Sequence, residues 1–95
     1  MSRPRRPRQL FFEPQTYYFK PQGIPLRLLD EVVLSSSELE ALKLHDVDGL
    51  DHMQAAAKMG ISQPTFGRDL DRAYKKIAQA IISGKAIKIE YQKDE

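Results

Sequence analysis

QAAAKMGISQPTFGRDL, Gln54 to Leu70, reads as a short helix, a tight turn at Gly60 and a second helix opening at Ser62. Ala55, Ala56 and Ala57 are strong helix formers, and their small side chains let a neighbouring helix come close. Met59 supplies an apolar contact at the end of that helix. Gly60 stands where a left-handed backbone ends a helix at least cost. Ile61 is a single apolar plug between the two helices. Ser62 is a good N-cap, its hydroxyl placed to accept from the backbone N–H of Thr65. Pro64 falls within the first turn, where a missing N–H costs little. Helix, turn and helix in this order predict a helix-turn-helix, whose second helix enters the DNA major groove.

The second helix is long. Phe66, Leu70, Ala73, Ile77 and Ile81 recur at spacings of four, three, four and four, which predicts one apolar face. Gln63, Thr65, Arg68, Asp69 and Arg72 fall away from that stripe or at its margins. Gln and Arg can form paired hydrogen bonds with base edges, and Thr offers a hydroxyl or a methyl. Gln63, Thr65 and Arg68, beginning at Ser62, are therefore the candidate base-reading residues. Arg72, Lys75 and Lys76 suit phosphate. Gly67 inside this helix costs ~1 kcal/mol relative to alanine, so a close backbone approach, to DNA or to another helix, is expected there. The bland alternative is a helical hairpin with a solvated polar face.

Upstream, Ser35 and Glu38 form an S-x-x-E capping box that opens a helix through about Asp46. Leu39, Leu42 and either Leu44 or Val47 supply its buried side, and Asp48-Gly49 breaks the chain. Downstream, Ser83-Gly84 is a stop signal. Lys85 to Tyr91 then alternates, with Ile87, Ile89 and Tyr91 on one side and Lys88 and Glu90 on the other, which predicts a half-buried strand. A lone strand needs a partner. The aromatic segment near Phe11 or Tyr17, from the same chain or a second copy, is the expected one. Leu26 to Leu34 mixes apolar and acidic residues and reads as a short turn or helix. The expected fold is mainly α: a tri-helical helix-turn-helix core with a long recognition helix, a basic N-terminal arm and a short C-terminal β-strand. The helices fall at about 36–46, 51–59 and 63–82 and the strand at about 85–91, within a single domain spanning 10–91.

SRPRRPR, Ser2 to Arg8, cannot form a helix with Pro4 and Pro7 in it. Residues 1–9 are expected to be a flexible basic arm. Its Arg3, Arg5, Arg6 and Arg8 suit phosphate or a minor groove; a solubilising tail is the alternative. Leu10 to Pro25 carries Phe11, Phe12, Tyr17, Tyr18 and Phe19, expected in the core or a subunit interface. Stacking on single-stranded nucleic acid is the competing reading. The tail QKDE at 92–95 is expected to fray.

The net charge of the 95 residues is +2, but it is split. Residues 1–20 carry a net +4, residues 21–60 a net −4 and residues 61–95 a net +2. Such asymmetry suits a protein that meets a polyanion on one side. There is no cysteine, so no disulfide framework and no thiolate metal site. No apolar run approaches a membrane span and no secretory signal follows the basic start, so a cytoplasmic location is expected. Asp46, Asp48 and Asp51 resemble part of a calcium loop but lack its remaining ligands. His45 and His52, with no cysteine or matched carboxylates, are expected to be surface or capping residues. No cofactor, metal or catalytic nucleophile–base pair is expected, so an enzyme is the least favoured class.

Taken together, RPRR near the start, YFKPQGIPL (Tyr18–Leu26), EVVLSSSELEALKLHDVDGL (Glu31–Leu50), QAAAKMGISQPTFGRDLDRAYKKIAQAI (Gln54–Ile82) and GKAIKIE (Gly84–Glu90) resemble a small prokaryotic family of uncharacterised, predicted DNA-binding proteins. Its helix-turn-helix is similar to region 4 of sigma factors. The resemblance covers nearly the whole chain in order. It implies a tri-helical DNA-binding domain of a transcriptional regulator. Many members carry a cysteine just after the basic arm; Arg8 and Gln9 stand there in this sequence, which removes any metal or redox role that cysteine would bring. The expected partners are double-stranded DNA and a second copy of the chain, since the unpaired strand and excess aromatics favour a homodimer. Two rivals stand beside this reading. One is a protein-interaction module that binds a transcription component through the acidic stretch Asp30 to Asp51; the other is RNA binding through the aromatics.

Overall fold

The computed structural model describes residues 8–91. The chain enters as an extended segment, forms β1 (Tyr18–Phe19), a single 3₁₀ turn at Leu26–Leu28 and β2 (Glu31–Ser35). It then runs through α1 (Ser36–Leu42), which widens into a π-helical turn over Lys43–Val47. After these come α2 (His52–Met59), α3 (Gln63–Ser83) and β3 (Ala86–Glu90). The protein is mainly α, with a small three-stranded sheet of order β1-β3-β2.

Each helix is bounded by local chemistry. Ser35 Oγ accepts from Glu38 N–H at 3.2 Å while Glu38 Oε1 accepts from Ser35 N–H at 2.9 Å, closing a capping box on α1. Asp51 and Gln54 close a second box on α2, at 2.8 and 3.0 Å. Ser62 Oγ accepts from Thr65 N–H at 3.2 Å and starts α3. Gly60 adopts φ 69°, and the bonds Gly60 N–H to Ala57 C=O and Ile61 N–H to Ala56 C=O complete the turn between α2 and α3. The three acids that resemble a calcium loop have other duties: Asp51 caps α2, Asp48 pairs with Lys43 at 2.8 Å, and Asp46 accepts from Tyr74 Oη at 2.8 Å.

The sheet corrects two expectations. Glu31–Ser35, read as a turn or helix together with the residues before it, is a strand with Val32 and Leu34 buried. Adjacent β-branched valines favour the pleated conformation, and the strand passes directly into α1 with no glycine or proline to mark the boundary. The expected aromatic partner of β3 is only half of its pairing. Tyr18 and Phe19 pair antiparallel with Lys88 and Ile87, but the longer partner is β2, parallel, from Glu31↔Ala86 to Ser35↔Glu90. Parallel strands need a long crossover, and here the crossover is the whole tri-helical unit.

The core has two lobes that share α3. Phe66 and Leu70 close the first, with Ala41, Leu44, Ala55, Ala56 and Met59. Ala73, Leu34 and Ile89 form the second, flanked by Ile77, Ile87 and Tyr91. Leu42 packs against both. Of the two residues expected to close the inner side of α1, Leu44 is buried and Val47 is exposed. Ile81 was expected on the buried stripe of α3 but is 71% exposed, and Ala80 is buried in its place. The stripe steps by three after Ile77, because 3.6 residues per turn cannot hold a repeat of four for long. The aromatic segment is not core within this chain: Phe11, Tyr17, Tyr18 and Phe19 are all exposed.

Candidate functional site: a cationic cleft at the α2–α3 turn

The start of α3 and the N-terminal segment enclose a cleft of about 420 Å³, lined by Arg8, Ser62, Thr65, Arg68, Asp69 and Arg72, with Gly60 and Ile61 at its base. Its central group is Asp69. This residue was expected on the polar face or its margin, yet it is completely buried. Position 69 lies three residues after Phe66 and one before Leu70, so the helical period turns it inward. Burying a carboxylate is costly unless it is paired. Asp69 Oδ2 accepts from Arg8 Nε at 3.0 Å, and Oδ1 accepts from Arg8 Nη2 at 3.3 Å and from Arg72 Nη2 at 2.6 Å. Two guanidinium groups thus hold one buried acid, and both arginines reach the cleft wall.

A second buried acid continues the network. Glu38, the N3 residue of the α1 capping box, accepts from Arg72 Nε at 3.3 Å and from Lys76 Nζ at 2.8 Å. Lys76 Nζ also donates to Val33 C=O at 2.7 Å, tying α3 to β2. Burial alone would push the Glu38 carboxyl up. Lys76, the Ser35 amide and Arg72 together outweigh it and hold the group below its ordinary value.

The N-terminal segment is strapped across the helices. Gln9 N–H donates to Met59 C=O at 2.9 Å. Phe11 and Phe12 N–H both donate to Glu40 Oε1, at 3.1 and 2.9 Å, and Glu40 is buried in α1. Arg8 is therefore fixed at the cleft, with its side chain 15% exposed.

The expected site residues distribute unevenly. Ser62, Thr65, Arg68 and Arg72 come together at the cleft, and Arg8 joins them. Thr65 Oγ1 accepts from Ser62 Oγ at 2.9 Å and from Arg68 Nη2 at 3.3 Å, which orients the Arg68 side chain. Gln63 is exposed two residues before Thr65, on a different side of the helix. Lys75 is exposed and pairs with Asp71 at 3.3 Å. Lys76 points inward, to Glu38 and Val33. Arg3, Arg5 and Arg6, with the rest of residues 1–7 and the tail at 92–95, lie outside the described residues. Sequence reading missed the structural work of Asp69, Glu38 and Glu40. The capping-box spacing flagged Glu38, but only as a cap; the spacing of Asp69 from Phe66 and Leu70 was a signal for burial that went unused, and no pattern marks Glu40. His45 and His52 stack edge to face at 5.0 Å, and His52 packs on Phe66 at 5.3 Å.

Several known proteins are similar in sequence to nearly the whole of this chain. A UPF0251 protein of Desulforudis audaxviator is 51% identical over 90 residues, covering 95% of this chain and 59% of that protein. One from Moorella thermoacetica is 50% identical with 60% of its length covered, and one from Caldanaerobacter subterraneus is 48% identical with 76% covered. The chain thus spans about three-fifths of the length of the first of these curated relatives. No solved structure matches it. Residues 1–93 match the family described as "Protein of unknown function DUF134". A match over nearly the full chain, with relatives near half identical, places this protein in the DUF134/UPF0251 family.

Proposed function

We propose that the α2–turn–α3 unit is a helix-turn-helix that binds double-stranded DNA, with the first turns of α3 in the major groove, and that the protein is a transcriptional regulator. The observation that carries this reading is the sorting of charge at the start of α3. The acids Asp69 and Glu38 are buried and paired with cations, while Arg8, Arg68 and Arg72 line a cleft whose one acid is the fully paired Asp69. The outward face of a locally mixed sequence is therefore cationic, which is what a polyanion requires. Gln63, Thr65 and Arg68 are the base-edge candidates, and Arg72 and Lys75 phosphate contacts. The arm arginines Arg3, Arg5 and Arg6 are further phosphate candidates.

The acidic-surface rival draws less support, because most of its acids are occupied. Glu38 and Glu40 are buried, Asp51 caps α2, Asp48 pairs with Lys43, and Asp46 holds Tyr74. A homodimer is supported by a different surface. Phe19, Ile24, Leu28, Ile81 and Ile82 are exposed, and Phe19 and Ile81 flank an apolar cleft of about 250 Å³ with Ile87. Phe19, Ile81 and Ile87, brought together at this cleft, favour an association surface.

The test is a titration with random duplex DNA at low salt, followed by selection of bound sequences from a random library. Binding that weakens steeply with salt is expected, and a palindromic selected site would accompany a dimer. Absence of any duplex binding would sink the DNA reading, and a monomer by light scattering at high concentration would sink the dimer. RNA that outcompetes duplex DNA would move the function to the exposed aromatics.

A further inference from the structure

We propose that the cleft bounded by Arg8, Arg68 and Arg72 is a built phosphoryl-binding site that takes one phosphodiester of the DNA backbone and so fixes the register of α3. The identity of the phosphoryl carrier rests on the DNA reading above; the existence of the site does not.

Donor arithmetic supports it. A guanidinium has five N–H donors. Arg8 spends Nε and Nη2 on Asp69; Arg72 spends Nε on Glu38 and Nη2 on Asp69; Arg68 spends Nη2 on Thr65 Oγ1. Arg68 has no carboxylate partner among the described residues. Ten of the fifteen N–H donors of the three groups are left over, and all three residues line the same cleft. Asp69 does not cancel them. Its carboxylate lines the cleft but is fully buried with both oxygens occupied, and it holds Arg8 and Arg72 in place. With Glu38 and Lys76, which share the Arg72 network, four cations stand against two acids and leave the cleft net positive.

The geometry favours a tetrahedral oxyanion. The two terminal oxygens of a phosphodiester can each accept more than one N–H, so a single phosphate can take donors from several guanidinium groups at once. Apart from Ile61, the wall is polar or charged, so little holds the body of a hydrophobic ligand. One wall, Arg8, belongs to the N-terminal strap, so the site is complete only when Glu40 and Met59 hold that strap down. The proposal also moves Arg68 from base reading to backbone positioning: its tether to Thr65 places it with the other two arginines.

The experiment has two arms on the full chain. In the first, inorganic phosphate is titrated while side-chain Nε resonances of the arginines are followed by NMR. Saturable shifts of Arg8, Arg68 and Arg72 are expected, abolished in R68A, a variant that removes only an exposed group. In the second, a selected duplex carries a single neutral methylphosphonate walked along each strand. One position per half-site should weaken binding about tenfold, the size of a lost charged contact. That penalty should vanish in R68A, and R68A should weaken every duplex sequence alike and not relax one base position. Phosphate shifts without duplex binding would keep the site for a free phosphoryl ligand and remove the DNA reading. Duplex binding with no shifts, or with no position whose penalty R68A removes, would keep the DNA reading and overturn the cleft. Neither signal overturns both.

Discussion

Gly67 is the residue whose chemistry most constrains the reading of α3. A Cβ built at this position meets nothing within 4 Å, so no neighbouring element among the described residues explains the glycine. Gly67→Ala should raise stability by about 0.5–1 kcal/mol, the helical preference for alanine, as measured by urea denaturation. If α3 lies in a groove with its backbone close to DNA, the same substitution should weaken duplex binding. A variant that is stabler and binds equally well would remove close approach as the reason for the glycine. Glu38 makes a second prediction at this scale. Its folded value is depressed, so its contribution to stability is fully present above the unfolded value near 4.5 and fades as pH falls through the lower folded value. Acid unfolding below pH ~4.5 should therefore be steeper in the wild type than in Glu38→Gln, which carries no titrating group. Parallel acid limbs in the two proteins would argue against the pairing of Glu38 with Lys76 and Arg72. The capping role of Glu38 is legible from spacing alone. Its partners Arg72 and Lys76 lie 34 and 38 residues away, and no local pattern announces them.

At the scale of elements, α3 joins the two lobes of the core. Phe66 is fully buried against Met59, Ala55 and Leu44, so Phe66→Ala leaves a large cavity under the α2–α3 turn. A loss of about 3–5 kcal/mol is expected from thermal or chemical unfolding, enough to unfold a domain of this size under mild stress. A loss below 1 kcal/mol would mean the first lobe collapses around the gap. The helices themselves are predictable because their stop and start groups lie within a few residues of one another: Ser35 with Glu38, Ser62 with Thr65, Gly60 and Gly84 in the left-handed region. β2 was not, because five residues of mixed apolar character carry no distinct period and gain their stability only from pairing with β3 across the whole tri-helical crossover.

For the molecule as a whole, the N-terminal strap links the start of the chain to α1, α2 and α3 at once. Glu40→Ala removes the acceptor of two amides and should cost about 2 kcal/mol, with Phe11 and Phe12 amides losing hydrogen-exchange protection before the rest of the fold. Unchanged protection there would show that Arg8 and Gln9 alone hold the strap. Helix limits, caps, the αL turn and the apolar stripe through Ile77 follow from neighbours within one or two turns, because hydrogen bonds and side-chain periodicity act over that range. The charge split between the ends and middle of the chain is equally a matter of composition. What tertiary structure alone decided is which charges face outward. Asp69 and Glu38 are tolerated inside because Arg8 reaches Asp69 from the N-terminal segment, joining the one-turn neighbour Arg72, and Arg72 and Lys76 reach Glu38 from α3; a buried acid survives only where such partners converge. That pairing turns a mixed-charge stretch after Gly60 into a cationic cleft.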